Sequence, residues 1–379
     1  MRTCGLYLPL LIVLMGVFYS GCAPKEVGFE VPLHSLPNLP STPYPYSQMG
    51  FPERWNQDPF LSLLDGIAGN PDITDEGATL GRVLFHDAQL SIDNSVSCGT
   101  CHRQSRAFSD DAPASVGVSG SPLHRNTPGL FNLQFHTRFF WDLRVSGLAN
   151  QVLQPIGHPD EMNMSLELLP AKLQALPYYG GLFADAFGDS TVHLTGITDA
   201  LVQFLLSLRS YDGRYDQGLD SDFENLSELE TLGKSVFFRG DTRCNQCHSG
   251  LNFFSPGPTI NGLEVDYEWA GDGGVGELTG AAQDDGKFKT VSLRNVGVTA
   301  PYMHDGRFAT LREVVDFYSD SIQPHPFLDG RFSEDGVGPS GQSPYQLALT
   351  LEEREGLVAF LHTLTDSSFI VNPAFSSPF

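Results

Sequence analysis

"CNQCH" occupies residues 244–248, and "CGTCH" occupies residues 98–102. Each stretch spaces two cysteines as C-x-x-C and sets a histidine directly behind the second. Such a pair serves a short disulfide, half of a zinc site, or the thioether attachment of a haem. The first two chemistries leave His102 and His248 without a role. Covalent c-type haem uses all three side chains, because the cysteines bond the vinyl groups while the imidazole reaches the iron. Two covalently bound c-type haems are therefore expected, one on Cys98, Cys101 and His102, the other on Cys244, Cys247 and His248.

The flanks of the two motifs repeat as well. "LGRVLF" at 80–85 precedes the first and "LGKSVFF" at 232–238 precedes the second; "LVQFLLSL" at 201–208 and "LVAFLHTL" at 357–364 close the two halves. Ser227 with Glu230, and Thr350 with Glu353, fit the S/T-x-x-E capping box that starts a helix. The pattern predicts an all-α chain of two cytochrome c-like haem domains with long irregular inserts, spanning 51–215 and 216–379. The seam falls in the polar, turn-forming stretch at 210–225. The Gly- and Asp-rich loops at 263–287 and 319–346 are candidates for shaping a docking face.

Ahead of these halves, residues 1–22 place Arg2 before a short apolar run that ends Tyr19-Ser20-Gly21-Cys22. This is the grammar of an export signal, and its end resembles the bacterial lipoprotein box. The expectation is a periplasmic or cell-envelope protein, anchored by lipid on Cys22, with no transmembrane helix in the mature chain. An ordinary cleaved signal is the alternative. Residues 23–50 are rich in proline and read as a tether. The 379-residue chain carries 45 Asp plus Glu against 22 Lys plus Arg, a formal charge of -23. That balance argues against nucleic acid and suits a basic partner approaching by electrostatic steering.

The axial ligands decide the chemistry. An electron carrier usually fills both faces of each iron, often with His and Met, whereas an enzyme acting on peroxide keeps one face open. Beyond the signal only Met49, Met162, Met164 and Met303 remain. His86, His124, His136, His158 and His304 are not excluded by spacing. In "TLREVVDFY" at 310–318, Thr310 and Glu313 form a capping box. Leu311, Val314, Val315 and Tyr318 share one helix face, so Tyr318 points inward. Two readings stay open: a buried aromatic with a hydrogen-bonded hydroxyl, or a phenolate on the second iron, its pKa depressed by the ferric charge.

Further stretches carry a family likeness: RAFSD (106–110), RNTPGLFN (125–132), FFWDLR (139–144), LANQ (148–151), HPDEM (158–162) and SLRNVGVTAPYMHDGRFATL (292–311). With the two haem motifs, they resemble the bacterial di-haem cytochrome c peroxidase and MauG superfamily over roughly residues 51–366. The resemblance implies that the haem on His102 meets peroxide and that the haem on His248 transfers electrons. The histidine that blocks the first iron in many family peroxidases matches Val118, which implies a constitutively open site. The distal ligand of the second haem, methionine in the peroxidases and tyrosine in MauG, matches Tyr318. Gln151 and Glu161 match the distal-pocket pair, Trp141 matches the tryptophan between the haems, and Asn126, Thr299 and Pro301 match the oxygen ligands of a calcium ion.

Three functions are compatible with these residues. A peroxidase would reduce hydrogen peroxide with electrons from a small c-type cytochrome or copper protein. A MauG-like oxidase would use the same oxidised two-haem centre on a tryptophan or tyrosine of a protein substrate. A plain electron carrier would fill both irons and ignore peroxide.

Overall fold

Two crossed helix pairs frame the molecule. In the first, the Thr74 side chain accepts the Gly77 N–H and starts the helix Asp75–His86, whose first turn is acidic, a favourable arrangement at the positive end of the helix dipole. Leu80, Val83, Leu84 and Phe85 are buried against Leu201, Val202, Phe204 and Leu205 of the helix Leu194–Ser207. The second pair is built alike. Ser227 and Glu230 close a capping box on Glu228–Phe238, and Thr350 and Glu353 close one on Leu351–His362.

The glycine of each repeated "LG" lies at a crossing. A Cβ on Gly81 would stand 1.9 Å from the Ala200 carbonyl oxygen, and one on Gly233 would stand 1.8 Å from that of Gly356. Only a residue without a side chain lets the backbones approach so closely.

The computed structural model describes residues 36–64, 70–265, 271–334 and 343–379. The expected signal, Cys22 and the start of the Pro-rich segment lie outside the described residues. Over its described part, the Pro-rich segment rests on the core. Tyr46 is fully buried and donates its hydroxyl to the Ala374 carbonyl at 2.5 Å. Burial of this aromatic side chain supplies an attachment that proline content does not reveal.

Helices dominate and strands are few. Among the described residues the ladders are two short antiparallel ribbons, Arg138–Phe139 with Val145–Ser146 and Pro258–Thr259 with Phe288–Lys289. The described residues pack as one unit, in which the N-terminal and C-terminal helix pairs have separate apolar clusters. The 210–225 stretch contains the short helix Arg214–Gly218 and is stitched by buried polar groups. The Arg294 guanidinium grips both Asp216 oxygens at 2.5 and 2.7 Å, and Asn132 reaches the Ser210 carbonyl at 2.8 Å and Asn252 at 3.0 Å. Paired in this way, the buried charges avoid the large cost of isolation.

Candidate functional site

Both C-x-x-C pairs form single helical turns, Cys98–Cys101 and Cys244–Cys247. None of the four cysteines is in a disulfide. Burial pushes the Cys98 thiol up to about 12 and those of Cys244 and Cys247 to about 11, so all three are neutral thiols while no cation is bound. Among the described residues, no group of three His, Cys, Asp or Glu side chains is placed to hold a metal ion.

The histidine behind each pair is oriented in the same manner. His102 Nδ1 lies 2.6 Å from the Phe108 carbonyl, and His248 Nδ1 lies 3.2 Å from that of Phe253. A carbonyl only accepts, so Nδ1 carries the proton and Nε2 keeps a free lone pair for a metal. Left-handed backbone at Ala107 and Phe108 (φ 49° and 60°) turns the first carbonyl, and Phe253 (φ 48°) turns the second. Burial lowers the pKa of both rings, that of His248 to about 4, and thereby favours the neutral ligand form. Sequence reasoning missed Phe108 and Phe253. The signal was a phenylalanine shortly after each motif, in "CHRQSRAF" and "CHSGLNFF".

A large, mainly apolar cavity opens beside the second motif. Cys244, Cys247, His248, Trp141 and Tyr318 all line it, as do Met303 and His304. The helix Leu311–Asp316 begins with the expected Thr310–Glu313 box, then widens into a π-turn over Phe317–Ser321. Such turns often re-aim a functional side chain. Here the Tyr318 hydroxyl meets Asn261 Nδ2 at 3.2 Å. Burial pushes the phenol up to about 12, so it stays neutral unless a cation neutralises its charge.

Lys289 also lines this cavity, where burial lowers its ammonium to about 8. Among the described residues no carboxylate pairs with it; the Phe139 ring lies 5.7 Å away. An unpaired cation in an apolar cavity beside two thiols and an oriented imidazole fits a haem, a group whose carboxylates would offer Lys289 an anionic partner.

Around the first motif, Gly99 accommodates His86, whose Nδ1 would lie 2.5 Å from any Cβ there and whose Nε2 lies 3.1 Å from the Phe375 carbonyl. His86 is thus a packing residue behind the motif, and His124 is exposed. His136 packs edge-on to Phe254, with ring centres 4.6 Å apart. Val118 packs on the N-terminal core alongside Cys98, and its N–H donates to the Glu161 carbonyl at 2.8 Å. The Glu161 carboxyl lies near enough to raise both Cys98 and Cys101. Its own pKa is raised by burial, against the pull of His158 and Arg144; His158 Nδ1 stands 3.9 Å from Oε1. Gln151 sits half-buried on the helix Leu148–Gly157 that leads into this loop.

Trp141 lines the cavity of the second motif and is held from two sides. Its Nε1–H donates to the Asn126 carbonyl at 2.8 Å, its own carbonyl accepts the Lys289 N–H at 2.7 Å, and its ring stands edge-on to His304 at 6.4 Å. Asn126 N–H in turn donates to the His304 carbonyl at 2.7 Å. The Asn126 amide donates to the carbonyls of Ala112 and Pro113, both at 3.3 Å, which leaves Oδ1 without a donor among the described residues. Thr299 Oγ1 bonds the Val296 carbonyl at 3.5 Å, and no hydrogen bond joins Asn126 to Thr299 or Pro301.

The chain is similar to known proteins over most of its length. The family model described as di-haem cytochrome c peroxidase matches residues 75–224. The chain is 35% identical over 298 residues to the methylamine utilization protein MauG of Methylorubrum extorquens, covering 78% of this chain and 79% of that protein. It is 32% identical over 289 residues to the cytochrome c551 peroxidase of Nitrosomonas europaea, covering 76% and 79%. A solved MauG-like protein associated with microbial copper homeostasis superposes with a TM-score of 0.72 at 33% identity, over 82% of this chain and 95% of that one. On these likenesses, the chain belongs to the di-haem cytochrome c peroxidase and MauG family.

Proposed function

We propose that the protein is a di-haem peroxidase, taking electrons from a small c-type cytochrome or copper protein at its second haem and delivering them to hydrogen peroxide at its first. Family membership implies two c-type haems. The observation that carries the reading is the asymmetry of the two motifs. The phenol oxygen of Tyr318 is available to the second, whereas Val118 and a half-buried carboxyl, Glu161, stand near the first. On this reading Tyr318 would fill the second face of one centre, and the other would stay accessible to peroxide.

The haem held by Cys98, Cys101 and His102 supplies the redox chemistry that breaks the O–O bond. The chain's residues do the rest. Peroxide needs two electrons and two protons to become two waters. Glu161, with its raised pKa, takes a proton from one peroxide oxygen and returns it to the other as that oxygen leaves. Gln151 orients the peroxide by hydrogen bonding. Trp141, tied to the Asn126 loop and to Lys289 in the ribbon, bridges the two centres. A calcium ion on oxygens of Asn126, Thr299 and Pro301 belongs to the same proposal; the undonated Oδ1 of Asn126 suits it.

Tyr318 favours a second reading, a MauG-like oxidase that uses the oxidised two-haem centre on a tryptophan or tyrosine of a protein substrate. Among the described residues no helix is long and apolar enough to cross a membrane. The proposed location is the periplasm or cell envelope, with attachment through lipid on Cys22. The deciding experiment adds peroxide to the fully oxidised holoprotein, follows the absorption of both haems, then supplies reduced cytochrome c. Rapid reoxidation of the cytochrome supports the peroxidase. A long-lived oxidised state that ignores the cytochrome supports the oxidase, and no reaction with peroxide refutes both.

A further inference from the structure

The loop at residues 260–263 is laced to the turn that carries Tyr318. Gln323 N–H donates to the Gly262 carbonyl at 2.8 Å, and Asp329 N–H donates to that of Ile260 at 3.2 Å. Gly262 has φ +73°, and a Cβ there would meet Ile322 Cγ2 at 2.6 Å and the Gln323 oxygen at 2.7 Å. The close approach therefore needs glycine. Between these ties stands Asn261, and its amide is oriented too. Leu263 N–H donates to Asn261 Oδ1 at 3.2 Å, which only the oxygen can accept, so the NH2 group faces the cavity. There it lies 3.2 Å from the Tyr318 hydroxyl and 3.9 Å from Met303 Sδ. Of these two neighbours, the phenolic oxygen is the good acceptor and the thioether the weak one.

We propose that Asn261 is a positioning residue that holds the Tyr318 oxygen toward the second metal centre and tempers how strongly that oxygen donates to it. The proposal rests on the reading of Tyr318 as a ligand. An N–H bonded to a ligand oxygen draws electron density from it, so the oxidised metal is less stabilised and the centre's reduction potential rises. Asn261 has no contact with the first motif among the described residues, so the effect is confined to the second haem.

The test is a potentiometric titration of the holoprotein, with ligand-sensitive spectroscopy of the second haem, on the parent, Asn261→Leu, Tyr318→Phe and the double variant. Asn261→Ser, smaller and polar, stands in if leucine prevents folding. The expected result is a fall in the second haem's midpoint potential in N261L, with the first haem unmoved and with no further change when N261L is added to Y318F. A potential equal to the parent's in N261L, or an equal shift in the Y318F background, overturns the proposal, because the amide would then not act through the phenol. If Y318F itself leaves both the potential and the ligand spectrum at parent values, the ligand reading falls, and the inference with it.

Discussion

Replacing Gly233 by alanine tests the helix crossing that supports the second motif. The new Cβ would stand 1.8 Å from the Gly356 oxygen, 2.3 Å from its carbon and 2.8 Å from Phe360 Cβ. Ordinary contact begins at 3.4 Å, so 3.4 less 1.8 leaves a shortfall of 1.6 Å that a backbone carbonyl, unlike a flexible side chain, cannot yield by rotating. Overpacking of this kind costs about 1–3 kcal/mol, and a backbone obstacle belongs at the upper end. Alanine returns about 1 kcal/mol through its better helix propensity. The net loss is about 2 kcal/mol, or roughly thirtyfold in the unfolding equilibrium. Denaturant unfolding of the holoprotein reads this directly, with Gly240→Ala as control, since a Cβ there meets nothing within 4 Å. If G233A is as stable as G240A, the account of the repeated "LG" as a contact point is wrong.

Glu161→Gln should lower peroxide turnover by about a hundredfold to ten-thousandfold while both haems stay attached, the usual range for losing a general acid–base group. Because burial raises the Glu161 pKa, the parent's turnover should fall as pH drops through a value above the ordinary carboxylate range, where the base becomes protonated; that limb of the stopped-flow pH profile should vanish in E161Q. Lys289→Met removes the cation that burial holds at about 8, so the second haem should become harder to reduce and its midpoint potential should fall. An unchanged potential in K289M would remove Lys289 from the account of haem binding.

The haem motifs, the repeats and the three capping boxes were legible because each is a local pattern with one physical cause. Tyr318 was legible in direction: the periodicity that buries Leu311 and Val315 pointed it inward. The chain reaches that result differently, ending the α-helix at Asp316 and widening into a π-turn, a change that residue spacing does not encode. Asn261 and Lys289 were invisible. They enter the cavity beside and within a ribbon that pairs Thr259 with Phe288 and Pro258 with Lys289, and such long-range register leaves no trace in local composition. Tyr46 was hidden for a similar reason, since its burial depends on Ala374 at the far end of the chain.

The central claim is that two porphyrins are bonded to this polypeptide through Cys98, Cys101, Cys244 and Cys247. Intact mass spectrometry of the mature protein, made in a host competent for cytochrome c maturation, tests it directly when combined with alkylation of free thiols under denaturing conditions. The account predicts the added mass of two haems and no alkylation at those four cysteines. An unmodified mass with four reactive thiols would contradict it.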